Sequence, residues 1–323
     1  MTFRRHSSCE QDHTGERRAF LKMSSTFALG LAASQWIPAP MSMADSSEAF
    51  PSVPFGPHRI SRLIAGSNPI CGYSHVSGLM SRIMSDYFTP DRVVDFLKHC
   101  TSVGISTFQS SYDKKIDESL RRLRQGGNEI QWICLANHEL ITEQKALDDV
   151  IKAHHPIGVA HHGGVTDTRY REGKMNLVQE FLKRVRDTGL QVGLSTHNPQ
   201  VVEYAEEKGW DIDFYMTCFY RVTRTQEQVQ AELGEIPLGE VFLQGDPNRM
   251  CRMIRQTKRT CLGFKILAAG RHCENPDEVR QAFEFAFANV KPIDATIVGM
   301  FPLYEDQAKI NSDYTRKYGA ARM

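Results

Sequence analysis
No two cysteines of this chain are spaced CxxC; its eight thiols, from Cys9 to Cys273, are scattered singly. That excludes a zinc ribbon, and the odd number left after Cys9 argues against a disulfide framework. None of the twelve histidines forms an HxH or HxxxH pair, so the short-range spacings of many metal sites are missing. No uncharged apolar run reaches the roughly 20 residues that span a bilayer. Basic and acidic side chains number 39 and 38, for a net charge of +1. Such a balance gives no electrostatic case for nucleic acid or an anionic membrane as partner. The Gly-x-Gly-x-x-Gly turn is absent too, because the first candidate strand runs into Gly66-Ser67-Asn68-Pro69-Ile70-Cys71. A dinucleotide-binding open sheet would want that turn. What is present is an ordinary globular composition, 41% hydrophobic and 24% charged over 323 residues. That length accommodates one large barrel, which needs roughly 250 residues.

The first 44 residues stand apart. Glu16-Arg17-Arg18-Ala19-Phe20-Leu21-Lys22 precedes a short apolar run, Phe27-Ala28-Leu29-Gly30-Leu31-Ala32-Ala33, and then Ser42-Met43-Ala44. This resembles a bacterial twin-arginine export signal with a small-x-small cleavage site. The resemblance implies the twin-arginine machinery as a partner, a periplasmic or otherwise exported location, and no stable membrane span after cleavage. Residues 45–58, rich in Ser and Pro, read as a linker, and 59–323 as one domain.

Along that domain, short apolar runs alternate with helical patterns. Asp187 to Arg221 shows the unit most completely. Gln191-Val192-Gly193-Leu194-Ser195 is a strand suited to burial on both faces, Asn198-Pro199 starts a helix, Gly209 ends it, and Asp213 to Tyr220 supplies the next strand. Thr89-Pro90 and Asn275-Pro276 repeat the same helix start. Eight strand-then-helix pairs result, with further strands near 62–66, 105–110, 130–136, 157–160, 262–267 and 295–298. Strict alternation argues for a parallel sheet, and eight pairs argue for its closure as a (β/α)8 TIM barrel. The polar segment from Tyr220 to Gly245 is long enough to be a lid or binding loop.

In such a barrel the active site forms at the C-terminal strand ends. Those ends present Asn68; Gln109 and Tyr112; Asn137, His138 and Glu139; His161 and His162; Ser195, Thr196 and His197; Thr217 and Tyr220; Phe264 and Lys265; and Gly299. Here the chain resembles the aldo-keto reductase superfamily. Gly193-Leu194-Ser195-Thr196-His197 is similar to the family's fifth-strand turn, and Gly158-Val159-Ala160-His161 to its fourth-strand histidine. Phe264 to Gly270 resembles the seventh-strand segment whose aromatic stacks on nicotinamide. Ile297-Val298-Gly299-Met300, with Glu305-Asp306-Gln307 and Asn311, resembles the final strand and cofactor-binding helix. The resemblance covers about half of the domain and implies oxidoreduction of a small carbonyl or sugar with NADP or NAD. It implies His161 as the group that polarises the carbonyl. Ser195, Thr196, Phe264, Lys265, Gly299, Gln307 and Asn311 would stand along the cofactor.

The family's proton-transfer tetrad is not intact. Gln109 stands at the aspartate position, Asn137 or His138 at the lysine position, and Tyr112 comes two residues before the expected tyrosine. Without a nearby cation, a tyrosine near its usual pKa of ~10 is a poor proton donor at neutral pH. The catalytic set is therefore His161, Tyr112, His138 and Gln109, with Tyr112 or His138 shuttling the proton. Gln307 replaces an arginine common in NADP-binding members. Three other expectations stand beside this one. His138, His161 and His197, on neighbouring strand ends, offer an open divalent-metal site of the sugar isomerase, epimerase or lyase kind. Lys265 is a candidate Schiff-base lysine. The scaffold without its tetrad is a candidate binding protein. Asp167, Arg169 and Arg171 read as a solvated loop after the fourth strand, and Arg271-His272 as a loop after the seventh.

Overall fold
The computed structural model describes residues 49–320. The export signal, its Arg17-Arg18 pair and the cleavage site lie outside the described residues. Among those described, no helix is long and apolar enough to cross a membrane.

The chain enters through a two-stranded antiparallel hairpin, β1 (Ser52–Phe55) and β2 (His58–Ser61). Eight parallel strands then close into a barrel in sequence order: β3 (Leu63–Gly66), β4 (Thr107–Ser111), β5 (Gln131–Ala136), β6 (Gly158–His161), β7 (Gln191–Thr196), β8 (Phe214–Cys218), β9 (Thr260–Phe264) and β10 (Ala295–Gly299). The expected (β/α)8 barrel is the observed fold. Between β3 and β4 lie α1 (Gly78–Tyr87) and α2 (Pro90–Ser102). α3 (Lys114–Gln125) follows β4, while α4 (His138–Thr142) and α5 (Gln144–His154) follow β5. α6 (Gly163–Arg171) and α7 (Met175–Asp187) follow β6, and α8 (Pro199–Glu207) follows β7. After β8 come α9 (Gln226–Leu233) and α10 (Asp246–Gln256), then α11 (Pro276–Asn289) after β9 and α12 (Gln307–Tyr318) after β10. Thr89, Asn198 and Asn275 cap α2, α8 and α11 through their side chains, each followed by proline at the helix start.

The segment expected to be a linker is a correction from residue 52 onward. Val53, Phe55 and Ile60 of the hairpin are buried in the barrel lumen with Ile64, Ile133, Phe214, Met216, Leu262 and Ile297. The hairpin thus closes the end of the barrel away from the strand C-termini, and its alternation of apolar side chains has the period of a half-buried strand. Room for this plug comes from β6 and β7. A Cβ on Gly193 would fall 2.3 Å from Phe214, so glycine lets that ring lie across the strand and meet Phe55 at 4.8 Å. The second core lies between barrel and helices and holds the opposite faces of the strands, among them Phe108, Trp132, Val159, Val192 and Leu194. Because successive strand residues alternate faces, these two clusters settle which strand-end side chains reach the lumen.

Four helices occupy stretches read as loops. α1 buries no residue, α9 buries only Val229, and α4 is a five-residue turn. α6 differs: it is well packed, but its buried positions are Gly163, Thr166 and Asp167 rather than an apolar stripe. That polar face brings the site together.

Candidate active site
Asp167 is 2% exposed on α6, and its carboxylate faces the end of β7. It accepts from the Thr196 hydroxyl, from the backbone N–H of His197 at 3.0 Å, from the Thr223 hydroxyl at 2.8 Å and from His197 Nδ1 at 2.9 Å. Four donors on one buried carboxylate hold both the ring and the backbone of His197, leaving Nε2 without a hydrogen-bond partner among the described residues. A histidine oriented in this way by a buried carboxylate is the arrangement a general acid–base needs. On β7, Val192 and Leu194 belong to the outer core, so Gly193, Ser195 and His197 share the lumen face. Ser195 is 1% exposed. A Cβ on Gly163 would lie 2.9 Å from Ser195 Oγ and 3.1 Å from His197 Cε1, so α6 packs onto both groups only because it begins with glycine. The ring of Phe264, at the end of β9, meets His197 edge to face at 5.4 Å.

One position separates the expected fourth-strand histidine from the one that reaches the lumen. Val159 is in the outer core and Ala160 in the inner one, so His161 points outward and His162 inward. His161 is 1% exposed, with Nδ1 on Thr166 Oγ1 at 2.7 Å and its ring 5.3 Å from Phe181. Burial, then the neighbouring His162 and Arg169, push its pKa down to about 3. It is a neutral packing histidine, and the expectation that it polarises a carbonyl is corrected. His162 Nδ1 is buried with no partner among the described residues, and burial followed by the proximity of His197 lowers its pKa.

Tyr112 is likewise turned away. Its hydroxyl donates to Asp117 Oδ1 at 2.9 Å, and its ring packs near Trp132 and His154. Burial and the Asp117 carboxylate push its pKa up to about 12, the wrong direction for an acid working near neutrality. Tyr112→Phe is expected to cost about 1 kcal/mol of stability in urea unfolding, the value of one lost hydrogen bond, with turnover unchanged. A turnover loss above tenfold would restore the tyrosine to the chemistry. His138 starts α4 with an exposed side chain, and Asn137 caps that helix while donating to the Tyr112 carbonyl at 2.9 Å. Gln109 pairs in register with lumen-facing Ile133 and is buried there, its side chain making no hydrogen bond to a described residue. The histidines expected at a metal do not gather, since His138 is exposed, His161 faces the helices and His197 is held by Asp167. Among the described residues no three His, Cys, Asp or Glu side chains group to hold a metal ion.

A second network closes the rim. Lys265, in left-handed backbone at φ 59°, donates from Nζ to His75 Nε2 at 2.7 Å, and His75 Nδ1 meets Glu240 at 2.8 Å. Burial lowers the Lys265 pKa. This clasp ties the loops after β3, β8 and β9, so the polar segment before Gly245 reaches over the barrel mouth as a lid would. Lys265, the candidate Schiff-base lysine, has its Nζ engaged in this contact. Toward the final helix, Gln307 Oε1 accepts from Phe301 N–H at 2.7 Å, and Asp306 caps α12 while pairing with His99. Asn311 is buried on that helix and Gly299 is exposed at the end of β10. Thr196, bonded to Asp167 on the outer face, is not available to a ligand. The resemblance would set a nicotinamide ring beside Ser195, which is 1% exposed, and Phe264, whose ring stands against His197. The far end does not fit a 2′-phosphate, because a carboxylate caps the helix and Lys309 is paired with Asp313.

No family model and no curated protein matches the sequence. Solved structures that resemble the chain include an aldo/keto reductase from Brucella melitensis, at 13% identity and TM-score 0.46, covering 82% of this chain and 92% of that one. A glycerol dehydrogenase from Gluconobacter oxydans matches at 10% identity and TM-score 0.44, over 83% and 96%. A dihydropteroate synthase from Xanthomonas albilineans matches at 8% and 0.43, over 84% and 97%. Proteins of unlike chemistry thus match equally well, and these likenesses carry no argument about the reaction.

Proposed function
We propose that the protein is an acid–base enzyme acting at the carbonyl or hydroxyl carbon of a small polar substrate, with His197 as the proton-transfer group. The observation that carries this reading is the buried Asp167 carboxylate, which fixes His197 at the barrel mouth through Nδ1 and backbone N–H. Asp167 sets the ring's tautomer and direction. His197 Nε2 takes or returns a proton, Ser195 holds a substrate oxygen, and the lid with its His75–Glu240 contact excludes water. A second reading, NAD-dependent reduction, is favoured by Phe264 and Ser195, which would hold the nicotinamide that supplies the hydride. His197 then takes the proton role that neither Tyr112 nor His161 is placed to fill.

Incubating a panel of small hydroxy- and keto-compounds with the protein in D2O, with and without NADH, tests both forms. Proton NMR should show deuterium entering at carbon without nucleotide, or NADH consumption alongside reduction. His197→Ala is expected to lower either rate by roughly 100-fold or more, the scale of a lost general acid–base. A variant as fast as the parent would overturn the assignment.

A further inference from the structure
A cavity of about 720 Å³ opens beside His197, between the ends of β7 and β8 and helices α8 and α10. That volume is in the range of small-molecule sites. Its charges are uneven: four arginines line it against three carboxylates, Glu203, Glu232 and Asp246. Two of the arginines are committed. Arg224 holds Asp246 at 2.6 Å and Glu232 at 2.9 Å, and Arg249 reaches Asp246 at 3.1 Å. Arg221 is different. Its backbone N–H donates to Asp246 at 3.1 Å and its carbonyl accepts from Arg224 at 2.7 Å, so its position is pinned. Yet its half-buried guanidinium makes no hydrogen bond or ion pair with any described residue. Arg252, the fourth, is exposed.

A guanidinium without a direct hydrogen-bond partner is costly where solvent is partly excluded and another cation is near. Burial and Arg224 lower the Arg221 pKa against the opposing pull of Glu232, Asp167 and Asp246, and Arg221 lines the same cavity as His197. Arginine nevertheless stays protonated, and its planar fork matches a carboxylate or phosphate with two parallel hydrogen bonds.

We infer that this cavity receives the anionic group of the substrate, a carboxylate or a phosphate monoester, on Arg221, with the reacting carbon turned toward His197. The second half rests on the proposed role of His197; the anion site does not.

Calorimetric titration of the whole chain at fixed ionic strength tests the site, with malonate as the carboxylate probe and inorganic phosphate as the other. One saturable site is expected for at least one probe, and the tighter of the two names the anion. Arg221→Gln should weaken it at least tenfold, with Arg221→Lys intermediate and Arg252→Gln within about threefold of the parent, since an exposed charge is well screened. Because the Arg221 guanidinium has no hydrogen-bond or ion-pair partner among the described residues, Arg221→Gln should melt no lower than the parent, and Arg221→Lys covers the case where it does not. His197→Ala should keep the anion affinity, so failure of the acid–base reading and failure of this one separate. Absence of saturable binding by both probes, or parent-like affinity in Arg221→Gln, overturns the inference.

Discussion

Asp167→Asn is expected to lower the unfolding free energy by about 3 kcal/mol, as removal of one partner from a buried, hydrogen-bonded charge typically does. The carboxylate accepts from Thr196, from Thr223 and from both the backbone and the ring of His197. An amide is nearly the same shape, but one of its two ends is an NH2 that must face donors. At least one of the four N–H or O–H groups then loses its acceptor in a site that is 2% exposed. Urea unfolding at pH 7.5 reads the effect as a lower midpoint at unchanged slope. His197→Ala should cost less, because the remaining carboxylate keeps three donors. In the double variant the two losses should fall short of additivity by 0.5 kcal/mol or more, the mark of groups in one network. Strict additivity, or an Asp167→Asn loss under about 1 kcal/mol, would show that the carboxylate is solvated and does not orient the histidine.

The barrel was legible because its strands obey a simple rule. Runs such as Trp132-Ile133-Cys134 and Phe214-Tyr215-Met216 are apolar on both faces, as burial between lumen and helices requires. Thr89, Asn198 and Asn275, each before proline, mark helix starts without ambiguity. The same both-faced burial hid the site. In Gly158-Val159-Ala160-His161-His162 nothing distinguishes the two faces by polarity, and a shift of one residue exchanges His161 for His162. A signal did exist one strand later, where Val192 and Leu194 alternate with Gly193, Ser195 and His197, small or polar residues on the lumen side. Asp167 reads as part of a solvated loop because its helix buries Gly163 and Thr166 rather than an apolar stripe, so the usual 3.6-residue pattern is missing. Arg221, His75 and Glu240 come together only through loops that the barrel's closure brings to one rim, and no local spacing announces that.

His161 should make the protein lose stability on mild acidification, in a pH window where carboxylates contribute little. Folded, its pKa is held down to about 3 by burial; unfolded, a histidine titrates near ~6.5. The stabilisation from keeping this ring neutral is therefore fully present above pH ~6.5. It falls as the pH drops from there toward 3, because the unfolded chain takes up a proton that the folded one refuses. Each unit of pH in that window costs about 1 kcal/mol for one such group, so acidification from 6.5 to 4.5 removes roughly 2 kcal/mol. His154 and His162, whose pKa values are also lowered chiefly by burial, act in the same direction. Asp117 enters later: burial resists its ionisation, but hydrogen bonds from Arg121, His154 and Tyr112 outweigh that and hold its pKa at about 2. Its share is lost only between pH ~4 and 2. Urea unfolding at pH 8, 6.5, 5.5 and 4.5 should show His161→Gln less stable than the parent at pH 8, through the lost contact with Phe181, but with a shallower decline below pH 6.5. The two curves should converge toward pH 4.5. Parallel curves would mean that the ring already shares protons with solvent in the folded state, as a histidine at the barrel mouth would and one packed between Thr166 and Phe181 cannot.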